Sequence, residues 1–320
     1  TASLEAWSLL RFLSIQDTLA GLAVKTAELE LKSLYVFGNE AAPLSFRVRK
    51  VTSSWTADSV SYDSIMVPGF LDPLPVGEAS SPVFGDSGTV IASLDTAMVN
   101  EWLRAAASTD ISVYGIALEP TNNGVIYGFG RFADLNENVR PVLRITYLRS
   151  DTARIDTVIL RSGTDRFVAS MADTSWASSA DRMYVRSGVG YRGVVEFSLA
   201  VLPPYPAIHM ATLQVVLDAS VSEFNRFTVD SLQAVYMSES GFQNYTSRLN
   251  EPPVQIGGRM HYRFVVTDIV RAWLRGSTVR RIGIAAANEA SAFDVFALYG
   301  VGASDPALRP ALTILYSKTQ

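Results

Sequence analysis

Short runs rich in β-branched and aromatic residues recur along this chain, each bounded by turn-forming residues. Residues 29–36, 46–51, 113–118, 142–147, 211–217, 264–266, 282–286 and 312–316 follow this pattern, which predicts strands. Two further strands are expected around 156–160 and 182–186. A different period appears twice. Val99, Trp102 and Leu103, and later Val270, Trp273 and Leu274, fall at i, i+3 and i+4, forming the apolar stripe of a helix. These helices are expected over 96–107 and 267–275. Asp95 or Thr96, and Thr267 or Asp268, can cap them by accepting a backbone N–H. Trp102, Leu103, Trp273 and Leu274 are therefore expected in the core. Strands at this spacing predict an all-β fold of packed sandwiches, each with one short helix.

The elements come in two copies. The segment Arg140–Tyr147 is echoed by Arg309–Tyr316 at an offset of 169 residues, and Met98–Arg104 by Ile269–Arg275 at 171. Ala27–Leu31 is echoed by Ala211–Val215 at 184, and the run ending at Phe12 by the run ending at Phe197 at 185. Such repetition marks a tandem array, and the domains are expected at 1–148 and 149–320. The falling offset gives the first copy about 13 extra residues. The stretch holding Pro68, Pro73, Pro75, Pro82 and Gly85 is expected to carry them as a loop. At the front the relation reverses. About 35 residues of the second copy, including both strands near 156–160 and 182–186, have no counterpart in the first. The first sandwich is expected to lack its first strands: either the chain was cut from something longer, or another molecule completes it.

Composition narrows the function. With 320 residues, 48% hydrophobic and 18% charged at a net charge of -4, the chain can bury two cores and does not have the composition of a disordered segment. A balance this close to neutral argues against wholesale nucleic-acid binding, and no run approaches the ~18 apolar residues of a membrane span. Zero cysteines exclude disulfides, thiolate metal sites and cysteine nucleophiles. Arginine outnumbers lysine 23 to four, and its planar fork suits carboxylate recognition. Residues 1–148 carry 10 basic and 16 acidic side chains, the remainder 17 and 15. A head-to-tail contact between unlike copies would be electrostatically helped.

Catalytic chemistry is thinly represented. His209 and His261 lack a metal-ligand spacing, and His261 is expected on a strand surface. Neither a nucleophile elbow nor a phosphate-binding glycine loop occurs, so no enzyme is expected. Asp151, Asp156, Asp165, Asp173 and Asp181 could hold a structural calcium ion or could be solvated loop carboxylates; no other cofactor is expected. Sugar faces stack on aromatic rings. Trp55 fits core or rim; Trp7 and Trp176 are expected to be more exposed, Trp176 being a stacking candidate or a loop anchor. Arg47 and Arg49 project from one face of a strand and, with Tyr62, form the expected glycan site.

Taken in order, Leu9–Phe12, Ala27–Leu31, Val51–Trp55, Trp102–Leu103, Gly115–Ile116 and Arg140–Tyr147 resemble the DNRLRE family, a carbohydrate-binding module family related to archaeal disaggregatase repeats. The second copy departs from it, since its equivalent of Trp55 falls near Glu239. The resemblance implies jelly-roll-like sandwiches in an extracellular or cell-surface protein, serving as a non-catalytic appendage that binds anionic, uronate-containing polysaccharide. The alternative is a self-assembling structural subunit of an extracellular filament, surface layer or adhesin stalk, completed by strands from neighbours. The expected partners are accordingly polysaccharide or identical subunits.

Overall fold

A computed structural model describes residues 4–13, 15–81, 87–108, 112–149, 154–171, 179–224, 231–238, 241–242, 251–277 and 279–318. The protein is all-β with antiparallel sheets. It divides into two compact units between Ala172 and Asp173. No helix among the described residues is long and apolar enough to cross a membrane.

The first unit contains, in chain order, β1 (Leu4–Arg11), β2 (Ala23–Gly38), β3 (Leu44–Val51), α1 (Tyr62–Ile65), β4 (Leu71–Ser81), β5 (Thr89–Leu94), α2 (Thr96–Ala105), β6 (Ile116–Pro120), β7 (Val125–Phe129), β8 (Val142–Leu148), β9 (Ile155–Arg161) and β10 (Thr164–Met171). Its strands lie in the order β10-β1-β6-β3-β4-β5-β2-β8-β9, with β7 also paired to β2. This single path folds back on itself. Leu10, Val48 and Ile116 from one half meet Leu29, Leu143 and Ile145 from the other in a common core. Side-chain alternation drives the arrangement: Ala27, Leu29 and Leu31 point inward and are buried, while Glu28 and Glu30 point outward.

The proline-rich stretch expected as a loop is in fact largely strand β4. It pairs with β3 through register shifts on either side of Arg49, irregularities that let Pro73 and Pro75 sit without a ladder donor. Helix α2 follows its expected stripe, stopping two residues early. Asp95 caps it by accepting the Ala97 amide at 2.8 Å, and Trp102, 2% exposed, packs its ring 6.2 Å from that of Phe12. A second cluster covers the other face of β1, where Trp7 and Leu9 meet Trp55, Val60, Ile65, Phe70 and Val168. Trp7, expected to be exposed, is buried there because residues 52–70 fold across that face. Trp55 is core as well, its Nε1 donating to the Tyr114 carbonyl at 2.8 Å.

Strands β9 and β10 alter the expected domain plan. β9 pairs along β8 from Val142 opposite Arg161 to Leu148 opposite Ile155. β10 pairs along β1 from Leu4 opposite Met171 to Arg11 opposite Thr164. Between them, the Ser162 amide donates to the Pro141 carbonyl at 3.1 Å and the Gly163 amide to the Arg11 carbonyl at 2.9 Å. The pair is a strap that runs up one sheet margin and down the opposite one. The expected join at 148/149 thus lies inside the first unit, and the expectation of an incomplete first sandwich is corrected. β1 is flanked by β6 and β10, and β2 by β5 and β8.

The second unit contains β11 (Arg182–Arg186), β12 (Gly193–Glu196), β13 (Pro206–Val216), β14 (Leu232–Ser238), β15 (Gly241–Phe242), β16 (Val254–Ile256), β17 (Arg259–Val265), α3 (Thr267–Leu274), β18 (Arg281–Ala286), β19 (Val295–Tyr299) and β20 (Ala311–Lys318). Two four-stranded sheets, β12-β18-β14-β15 and β16-β17-β13-β20, and a β11-β19 ribbon contribute to a core containing Leu213, Tyr262, Phe264, Trp273, Ile284 and Phe296. Three expectations fail here. Neither Thr267 nor Asp268 caps α3, whose N-cap is Val266 without a side-chain bond; the Thr267 hydroxyl instead accepts the Ala211 amide at 3.0 Å. Leu274 is 39% exposed, since the buried face of this short helix is Ile269, Val270 and Trp273 and Leu274 closes its last turn. His261 is buried in β17, with no partner for Nδ1 among the described residues.

Candidate functional site

The residues expected to bind glycan sit on the first unit. Arg47 and Arg49 point away from the buried Phe46 and Val48 of β3. Arg49 is fully engaged. Its Nε and Nη2 donate to the two carboxylate oxygens of Glu119 at 2.6 and 3.2 Å, and its Nη1 donates to the carbonyls of Asp72 and Pro73 at 3.2 and 2.6 Å. The hydrogen bond to Glu119 holds the guanidinium above its ordinary pKa. Arg47 is exposed but lies in the ladder directly between Glu119 of β6 and Glu78 of β4. The hydroxyl of Tyr62, on α1, donates to Glu5 at 2.8 Å. Burial first, then that hydrogen bond, pushes its pKa up to about 12. Arg49 and Tyr62 thus already hold carboxylate partners, Glu119 and Glu5, and Arg47 is flanked in register by two glutamates, surroundings that disfavour an anionic sugar. Trp176 lies outside the described residues.

The side chains of two candidate aspartates have partners in the first unit. Asp156 faces Arg149 at 3.8 Å. Asp165 accepts the Phe132 amide at 2.5 Å, and burial holds its carboxyl above the usual range. Among the described residues no group of three metal-binding side chains comes together, and Asp151 and Asp173 lie outside them.

A different feature emerges when the two units are set side by side through their repeat. The 169-residue offset makes β20 the counterpart of β8, and the 185-residue offset makes β12 the counterpart of β1. In the first unit both of these strands are paired on two sides. In the second, β20 pairs with β13 and β12 with β18, and among the described residues neither has a second neighbour. Among the described residues, the margins that the strap covers in one unit have no covering strand in the other.

The side chains report the same difference. Leu143 and Ile145 of β8 are fully buried, whereas their counterparts Leu312 and Ile314 are only half-buried. Leu315 and Tyr316 are 58% and 37% exposed. A bare strand margin presents unpaired N–H and C=O groups, which proteins ordinarily protect by shortness, charge or proline. The other margins of these sheets, β15 and β16, are two and three residues long. The strap, itself a margin of the first unit, carries Asp156, Arg161, Asp165 and Arg166. By contrast β20 is eight residues long, and no charged residue lies between Arg309 and Lys318. Compared with protein-family models, curated proteins and solved structures, the chain matches none.

Proposed function

We propose that the protein is a non-catalytic structural subunit of an extracellular or cell-surface assembly, joined to neighbouring copies by strand addition at the second unit. The observation that carries this reading is the long margin of β20, uncharged from Ala311 to Ser317, which has no second neighbour among the described residues while its counterpart β8 in the same chain is covered by β9. Strand addition supplies main-chain hydrogen bonds for affinity, and alternate side chains supply specificity. A contact between a margin on one copy and a different surface on the next is heterologous and propagates unless its rotation closes a ring. Residues 1–172 carry a net charge of -5 and residues 173–320 of +1, a difference that favours such a head-to-tail arrangement.

Light scattering and negative-stain microscopy of the full chain over a range of concentrations test this. Concentration-dependent growth is expected, and Thr313→Lys with Leu315→Lys should abolish it. Both side chains are exposed, so the pair charges the margin without entering the core. A wild-type chain that stays monomeric throughout overturns the assembly reading.

A further inference from the structure

Resting on strand addition at the second unit, we infer that its occupant is a strand–turn–strand strap that closes both bare margins at once, in the register residues 155–171 adopt on the first unit. The repeat supplies the register. Carried over by 169 residues, the pairing of β9 with β8 places the position of Leu160 opposite Leu312, that of Val158 opposite Ile314 and that of Asp156 opposite Tyr316. Carried over by 185, the pairing of β10 with β1 places the position of Thr164 opposite Glu196 and that of Phe167 opposite Gly193. The turn has counterparts for both of its anchors, because Pro141 and Arg11, whose carbonyls accept the Ser162 and Gly163 amides, correspond to Pro310 and Glu196.

Chemistry defines the segment further. In the first unit Leu160 is buried and Val158 packs against the core, so the occupant carries apolar side chains at these alternate positions. There they would cover Leu312 and Ile314, whose apolar surface is still partly open to water. At the outer end, Asp156 meets Arg149 at 3.8 Å. The counterpart of Arg149 is Lys318, so an acidic residue at that position finds the same sign of charge on the second unit. The occupant is thus an extended polypeptide with two alternating strands of seven to eight residues, a two-residue turn and an acid near its start. A lone strand would satisfy β20 and leave β12 bare.

A synthetic peptide of residues 155–171, added to the full chain, tests the strap. Hydrogen exchange read segment by segment should show new protection at both 311–318 and 193–196 and none at β8 or β1, where the chain's own strap is seated. The Thr313→Lys, Leu315→Lys chain should lose binding at least ten-fold. Replacing Leu160 with Lys in the peptide should do the same. Replacing Asp156 with Lys should weaken binding by roughly two- to five-fold, the range of an exposed ion pair. Protection at β20 alone, or no binding, overturns the strap. If the chain self-associates and the edge lysines block that, yet the peptide neither binds nor competes, the strap falls and the assembly stands. Peptide binding at both margins by a chain that never self-associates supports the strap and overturns self-assembly.

Discussion

The amide of Gly163 donates to the carbonyl of Arg11 at 2.9 Å, across 152 positions of sequence. This bond fixes the point where the strap leaves the margin of β8 and joins that of β1. It ties the last strands of the first unit to its first one, so loss of the turn should loosen both margins together.

Substitution at Gly163 tests that role. A Cβ there would lie 2.8 Å from Leu13 Cβ and 3.0 Å from its Cγ and Cδ1, so the neighbour must move. Gly163→Val should destabilise the strap by at most about 3 kcal/mol, the upper end for overpacking a core, since Leu13 is partly exposed and can yield in part. Segment-resolved hydrogen exchange should show faster opening of 155–161 and 164–171 with the second unit unchanged. Unaltered exchange in the strap would show that the turn contributes nothing to its seating.

Two leucines at equivalent repeat positions offer a sharper contrast. Leu103 is 1% exposed within the main core of the first unit, whereas Leu274 looks into solvent. Leu103→Ala should cost about 2–5 kcal/mol, as expected for a buried leucine truncated to alanine, and Leu274→Ala under about 1 kcal/mol, as for surface changes. Denaturant unfolding of both variants checks this, and similar losses at the two sites would contradict the placement of α3.

Much of this architecture was legible locally. Leu29 and Leu31 with Glu28 and Glu30 show the two-residue period of a half-buried strand, and Val99, Trp102 and Leu103 show the helical one. What could not be read was partnership. The run from Ile155 to Arg161 announces a strand, but pairing is set by contacts distant in sequence, and nothing local says that it lies on β8 rather than opening the next unit. The repeat arithmetic therefore counted both strands near 156–160 and 182–186 as missing from the first copy when the first unit already holds one of them, β9, and only β11 belongs to the second unit; it also located the bare margin in the wrong copy. Trp7 has a similar history. Its strand is apolar on both faces, Trp7 and Leu9 on one and Leu10 on the other, as in strands covered on two sides; that signal could have revealed its burial. For Arg49 no local signal existed, because Glu119 is 70 residues away.

That pair allows a direct measurement of how far Arg49 is a structural residue. Both side chains are 19% exposed, and the two-point bond is charge-assisted. Hydrogen bonds of this kind contribute about 1.5–3 kcal/mol. Arg49→Ala should lower the stability of the first unit by about that amount, and Arg49→Lys should recover little, since an ammonium cannot span both carboxylate oxygens. A double-mutant cycle with Glu119→Ala isolates the pair. A coupling near zero, with a loss of binding to acidic polysaccharide in Arg49→Ala, would return Arg49 to the role of a ligand-binding residue.

Acid should act on the second unit through Asp218. Burial alone would raise its carboxyl, but the Ser220 hydroxyl at 2.6 Å, the Arg182 guanidinium at 2.9 Å and the Ser220 amide together hold it below the ordinary value. A carboxyl lowered in the folded state binds its proton less tightly than the unfolded chain does, so the unfolded state takes up more protons as the pH falls. Its contribution is complete above the unfolded value of about 3.9 and disappears as the pH drops through the lower folded value. Asp218→Asn cannot form the charged bond to Arg182 at any pH. The variant should therefore be less stable than the wild type at pH 7, and the gap should narrow steadily below about pH 4. Denaturant midpoints for the second unit, taken at intervals from pH 7 to pH 2, measure that gap. One that stays constant across the range would mean that Asp218 acts through its shape and neutral hydrogen bonds, and that its charge contributes nothing to holding β11 against the segment after β13.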